Sequence, residues 1–159
     1  MRRGAVLAAF LSLAGPAAAQ SAAPLLDAYG RVTTLLNYMT MYVAESLLAC
    51  AAKNVLTEDQ AEARFQAYRE RNAAMLERAE NWSQQAEARL RAQGAERAAR
   101  RAAETGLGAV AEATVRAQGE IGKAGDVRAA CTAKITAIQS GHYDLQSNSE
   151  FVNLLKADP

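Results

Sequence analysis

The sequence predicts an all-α fold: an up-down-up-down four-helix bundle with a short C-terminal helix, stapled by one disulfide. Alanine, leucine, glutamate, arginine and glutamine dominate after residue 19, and β-branched runs are few. Apolar residues recur at helical spacing in successive stretches, separated by glycines, asparagines and capping residues. The two cysteines, Cys50 and Cys131, fall where such a bundle brings helix ends to one pole.

The first twenty residues read MRRGAVLAAFLSLAGPAAAQ. Arg2 and Arg3 form a positive segment, Ala5 to Ala14 a short apolar one, and Ala17-Ala18-Ala19 the small residues a signal peptidase accepts. Residues 1–19 are therefore expected to be a cleaved secretory signal, leaving residues 20–159 as a single helical domain. No cysteine stands near the cut to suggest a lipid anchor. The chain carries 18 basic and 17 acidic residues; losing Arg2 and Arg3 leaves 16 against 17, a net charge of −1. Such a balance favours neither nucleic acid nor an anionic membrane. In an exported chain the two cysteines are expected to pair. The expected location is the periplasm of a Gram-negative bacterium.

The first bundle helix is expected from about Leu25 to Lys53, with Pro24 in its first turn and Asn54 ending it. Leu25, Tyr29, Val32, Leu36, Met39, Val43 and Cys50 form its inward stripe. The only charge between Arg31 and Lys53 is Glu45. Interspersed Thr33, Thr34, Asn37, Thr40 and Ser46 nonetheless favour a buried bundle helix over a membrane span.

Thr57 with Gln60 is a capping box opening the second helix, which is expected to run to about Gln93. Leu56-Thr57 with Gln60 is also similar to a string in Spy-like periplasmic chaperones; the capping box is a sufficient reason for it. Phe65, Tyr68, Met75, Ala79, Trp82 and Ala86 form the inner seam, with Trp82 as anchor. Gly94 separates this helix from a third, Ala95 to Gly119. Ala99, Ala103, Leu107, Val110, Thr114 and Ala117 are expected to point inward there, and Gly106 and Gly108 to weaken it. Without a turn at Gly94, these two helices would form a rod of roughly 60 residues, about 90 Å long. The cysteines would then be too far apart to pair. Gly119, Gly122 and Gly125 form a connection, Asp126 caps a fourth helix reaching about Ser140, and Ser147 with Glu150 opens a short last helix through Lys156.

The stretch Tyr38-Met39-Thr40-Met41-Tyr42 raises the question of a soft-metal site. Successive residues turn 100° on a helix, so Met39 and Met41 point about 200° apart and cannot share one site. Met39 has another possible partner. It lies eleven residues before Cys50, and His142 eleven after Cys131. Eleven residues are about three turns, so a disulfide between antiparallel helices brings Met39 and His142 level. This Met–His pair resembles the haem ligation of cytochrome b562-type bundles in architecture and in its two ligand types; it could also hold copper(I).

The chain has one histidine and lacks a serine elbow, a phosphate loop and a dinucleotide fingerprint. No nucleophile–base set is visible, so the expected class is a non-catalytic protein without cofactor, acting on an unknown protein partner or a second copy of itself. The candidate contact residues are Tyr38, Met41 and Tyr42 on one face and Arg97, Arg100 and Arg101 in the densest basic patch. Acids interleave that patch and aromatics do not, which argues against nucleic acid. Glu87–Arg91, Glu96–Arg100 and Glu112–Arg116 are expected surface ion pairs. The alternatives are a haem- or copper-binding bundle using Met39 and His142, or a chaperone-like holdase.

Overall fold

The computed structural model describes residues 16–159, with side chains from Ala22 onward. The positive and apolar segments of the expected signal lie outside the described residues. Those described are helical, with no strand among them: α1 Pro16–Ala52, α2 Glu58–Arg71, α3 Ala73–Ala92, α4 Glu96–Gly122, α5 Val127–Gln139 and α6 Ser149–Leu154, with a 3-10 turn at Leu145–Ser147.

Residue pairs give the directions. Gly30 meets Ala102, Asn37 bonds the Gly106 carbonyl, and Tyr42 bonds Glu120, so α1 and α4 run parallel. Val43, Leu47 and Cys50 share a core with Ala61 and Tyr68, while Tyr29 and Val32 share another with Ala79, Trp82, Ala86 and Leu90. The α2–α3 arm is thus antiparallel to α1. Cys50 is bonded to Cys131, with Cα atoms 5.6 Å apart, and Lys134 reaches Tyr42, so α5 is antiparallel as well. The bridge spans 81 residues, a loop whose closure in the unfolded chain is worth about 4 kcal/mol.

Several elements follow the sequence closely. Thr57 and Gln60 form the reciprocal capping box. Asn54 leaves α1 at φ 56°. Asp126 caps α5 through the Ala129 N–H, and Gly141, at φ 81°, follows its end. The stretch Ala22–Ala52 is long and apolar enough to cross a bilayer by length and composition; 28% of its apolar window is buried in the fold, and Val32, Val43, Leu47 and Cys50 are among the core residues.

Five features differ. Pro24 lies inside α1, eight residues beyond its first, rather than in its first turn; a proline there removes one backbone bond and crowds the preceding turn. The helix expected from Thr57 to Gln93 breaks at Asn72, whose amide turns inward to the Tyr68 carbonyl and to Asp144. Leu107 is 64% exposed; Gly106, Ala109, Ala113 and Ala117 take the inward positions of α4. The small inward residues let α1 and α4 approach so closely that a Cβ on Gly106 would stand 2.6 Å from Thr33 Cγ2. Gly119 and Gly122 belong to α4 rather than to a connection. The last helix is capped by Asn148, not Ser147, and Ser147 instead donates to the Gly141 carbonyl.

The C-terminal segment is locked onto the α2–α3 break. Asp144, 3% exposed, accepts from Arg71 Nε at 2.9 Å and Nη2 at 2.8 Å and from Asn72 Nδ2 at 3.2 Å. Asn72 Oδ1 in turn accepts the Leu145 N–H. Burial pushes the Asp144 carboxyl up, but Arg71 and Asn72 hold it below the usual range. Beyond this node Trp82 Nε1 donates to the Ala157 carbonyl, so the expected anchor holds the chain's last turn.

Candidate functional site

The disulfide register does what the spacing implied: Met39 of α1 and His142, just after α5, line one open cleft of about 390 Å³. Tyr38, Arg116, Tyr143, Asp144, Ser147 and Asn148 also line it. Met41 faces away, lining a groove of about 720 Å³ with Leu36, Phe65, Leu76 and Val110. The two methionines point apart, as a helix requires. The Met39 sulfur accepts from Asn148 Nδ2 at 3.5 Å. His142 packs edge-on against Tyr143, ring centres 4.9 Å apart. Among the described residues no three His, Cys, Asp or Glu side chains converge as a metal site.

Beneath the cleft lies a polar cluster that α1, α4, α5 and the following loop build together. Tyr42 is only 7% exposed, seated against Ala113 and Ala117. Its hydroxyl donates to Glu120 Oε2 and accepts from Lys134 Nζ, since a carboxylate can only accept and an ammonium only donate. Lys134 also donates to Glu120 at 2.8 Å and to the Tyr143 hydroxyl at 3.1 Å, which uses all three of its N–H groups. Arg116 donates to Glu120 Oε1 and to the Tyr38 hydroxyl, both at 2.9 Å. The Lys134 ammonium sits 4.7 Å from the Tyr42 ring centre and 5.2 Å from that of Tyr143, within cation–π range.

Electrostatics follow from this packing. Burial pushes the Tyr42 hydroxyl up to about 12, with the Glu120 carboxylate adding to the effect. Burial also acts to raise Glu120, but Lys134, Tyr42 and Arg116 outweigh it and hold the carboxyl down at about 2. For Lys134, burial works against the charge, and its bonds to Glu120, Tyr42 and Tyr143 raise it regardless.

Of the candidate contact residues, Tyr38 is at the cleft with Arg116, Tyr42 is its buried support, and Met41 belongs to the separate groove. Arg97, Arg100 and Arg101 are exposed, with Arg100 paired to Glu96 at 3.5 Å. About 22 Å of α4 separates Arg101 from Arg116, so the patch and the cleft are different surfaces. Sequence reasoning missed Lys134, Tyr143, Glu120 and Arg116. Arg116 pairs with Glu120 and not with the expected Glu112; both acids stand at helical spacing, and only tertiary contact with Tyr42 and Lys134 chooses between them. The arrangement supplies a rigid aromatic wall with hydrogen-bond donors at its edge.

Comparison with known protein families, curated proteins and solved structures finds no match.

Proposed function

We propose that this chain is an exported, periplasmic, non-catalytic binding protein that engages a partner polypeptide at the Tyr38–His142 cleft. The observation that carries this reading is the convergence of α1, α4 and the loop after α5 on one open aromatic cleft, braced from below by the Tyr42–Glu120–Lys134–Tyr143 cluster. Rigid tyrosines with polar tips bury area at low entropic cost, which suits a contact surface. The Cys50–Cys131 bond and the signal-like sequence of residues 1–19 support export. The second reading is haem or copper held between Met39 and His142, favoured by their common cleft.

Native mass spectrometry of the tagged chain recovered from a periplasmic extract tests both. The expected species starts at Gln20, is two hydrogens lighter than the reduced chain, and carries a second polypeptide that Tyr38→Ala or His142→Ala removes while the chain stays helical and oxidised. Retention of that polypeptide by both variants would contradict the cleft reading. A haem or copper adduct lost in Met39→Ala and His142→Ala would establish the second reading in its place.

A further inference from the structure

We infer that the cleft recognises a carboxylate, presented on an acidic side chain of the partner polypeptide. This rests on the reading of the cleft as the binding site. The carboxylate and thioether acceptors around it are already engaged. Both Glu120 oxygens are bonded, Oε1 by Arg116 and Oε2 by Tyr42 and Lys134. Asp144, which also borders the cleft, is consumed by Arg71 and Asn72. The Met39 sulfur is occupied by Asn148.

The donors are not spent. The Tyr38 hydroxyl accepts from Arg116, and the Tyr143 hydroxyl from Lys134, so each has its own proton free among the described residues. Arg116 engages Glu120 and Tyr38 through Nε and Nη1, leaving Nη2 to a ligand. The charge behind the lining points the same way. The lining itself carries one charge of each sign, Arg116 and Asp144. Behind it Lys134 joins Arg116 against the single carboxylate of Glu120, and Arg71 balances Asp144, so the cleft and its support together hold one excess positive charge. Free donors on Arg116, Tyr38 and Tyr143 around one cleft, with the excess positive charge behind them, select an anion, and a charge-assisted bond from Arg116 Nη2 flanked by two phenol hydroxyls suits a carboxylate.

Exposure decides what carries that carboxylate. Arg116 is 60% exposed. An ion pair that open to water is too weak to hold a free small anion. The remaining affinity must come from covering the Tyr38 and Tyr143 faces, which the neighbouring side chains of a polypeptide can do.

The test is titration of the mature, oxidised full chain with a random glutamate–tyrosine copolymer, using a lysine–tyrosine copolymer as the opposite probe. The acidic copolymer is expected to bind at low salt and the basic one not. Arg116→Gln is expected to weaken binding at least fivefold, Arg116→Lys to retain part of it, and an Arg97→Gln, Arg100→Gln, Arg101→Gln triple variant to leave it unchanged. Because Arg116 lies at the surface, its variants are expected to melt as the parent does. No binding of the acidic copolymer, or binding lost only in the triple variant, overturns the inference. A partner captured from the extract through Tyr38 and His142 with full strength in Arg116→Gln overturns the carboxylate and leaves the binding reading standing. Capture that survives Tyr38→Ala and His142→Ala defeats the binding reading, and this inference with it.

Discussion

Tyr42 and Tyr68 are both buried tyrosines, and their hydroxyls have opposite fates. That of Tyr42 is bonded to a carboxylate and an ammonium. That of Tyr68, fully buried, has only the Thr40 hydroxyl beside it, and the two lie outside good hydrogen-bond geometry, a contact too weak to satisfy either. Tyr42→Phe is therefore predicted to cost about 2 kcal/mol, since bonds to charged groups are the strong ones. Tyr68→Phe removes an unsatisfied polar group and is predicted to be neutral or to stabilise by up to about 1 kcal/mol. Urea unfolding of the two variants checks the contrast. The same cluster contributes to the pH limits of stability, and Asp144, also held low, adds to the acid side. Glu120, held down at about 2 from an ordinary 4.5, stabilises the fold above pH 4.5 and loses that contribution as the pH falls toward 2. Tyr42, raised from 10 to about 12, contributes fully below pH 10 and loses it as the pH climbs to 12. Lys134 is raised as well and fails on the same alkaline side. Melting temperature across the pH range is predicted to fall at both ends. Glu120→Gln is predicted to flatten the acid limb, and an acid limb that stays unchanged would contradict this assignment.

At the scale of elements, the pairing of α1 with α4 depends on one glycine. A Cβ on Gly106 meets Thr33 Cγ2 at 2.6 Å, whereas one on Gly108 meets nothing within 4 Å. Alanine gains up to about 1 kcal/mol of helix propensity at either site. At Gly106 overpacking, about 1–3 kcal/mol, outweighs the gain. Gly106→Ala is predicted to destabilise by about 1 kcal/mol, with partial relief from Thr33→Ser, and Gly108→Ala to stabilise; thermal melts of the three variants decide. The Asn72 break has its own test. Asp144→Ala strips a buried carboxylate from Arg71 and Asn72 and is predicted to cost about 3 kcal/mol. Hydrogen exchange is predicted to speed up from Leu145 to Ala157 well before it does in α1 or α4.

At the scale of the whole molecule, the helices, the turn at Gly94 and the disulfide were legible because each follows from local chemistry: periodicity, caps and the pairing of two cysteines. Helix spacing and the disulfide also pointed to a common neighbourhood for Met39 and His142, and both line the cleft, although α5 ends before His142 and the turn at Gly141 sets where the ring lies. What was illegible depends on long-range contact. Asn72 interrupts a good helical pattern because Asp144, 72 residues away, takes its amide. Leu107 yields its inward place to Gly106 because close approach to α1, not hydrophobicity, sets the face of α4. Lys134 looks like a solvated lysine until α5 is folded against Tyr42. The cleft is a product of this assembly: a wall from α1, donors from α4 and the loop after α5, and a brace from α5. The central claim is that this cleft, and not the arginine patch, is the working surface. Photo-crosslinking inside the periplasm tests it most directly, with p-benzoylphenylalanine placed at Ser147 on the cleft rim or at Arg97 in the patch. The account predicts one discrete crosslinked polypeptide from position 147 and none from position 97. Crosslinking from position 97 alone would contradict it.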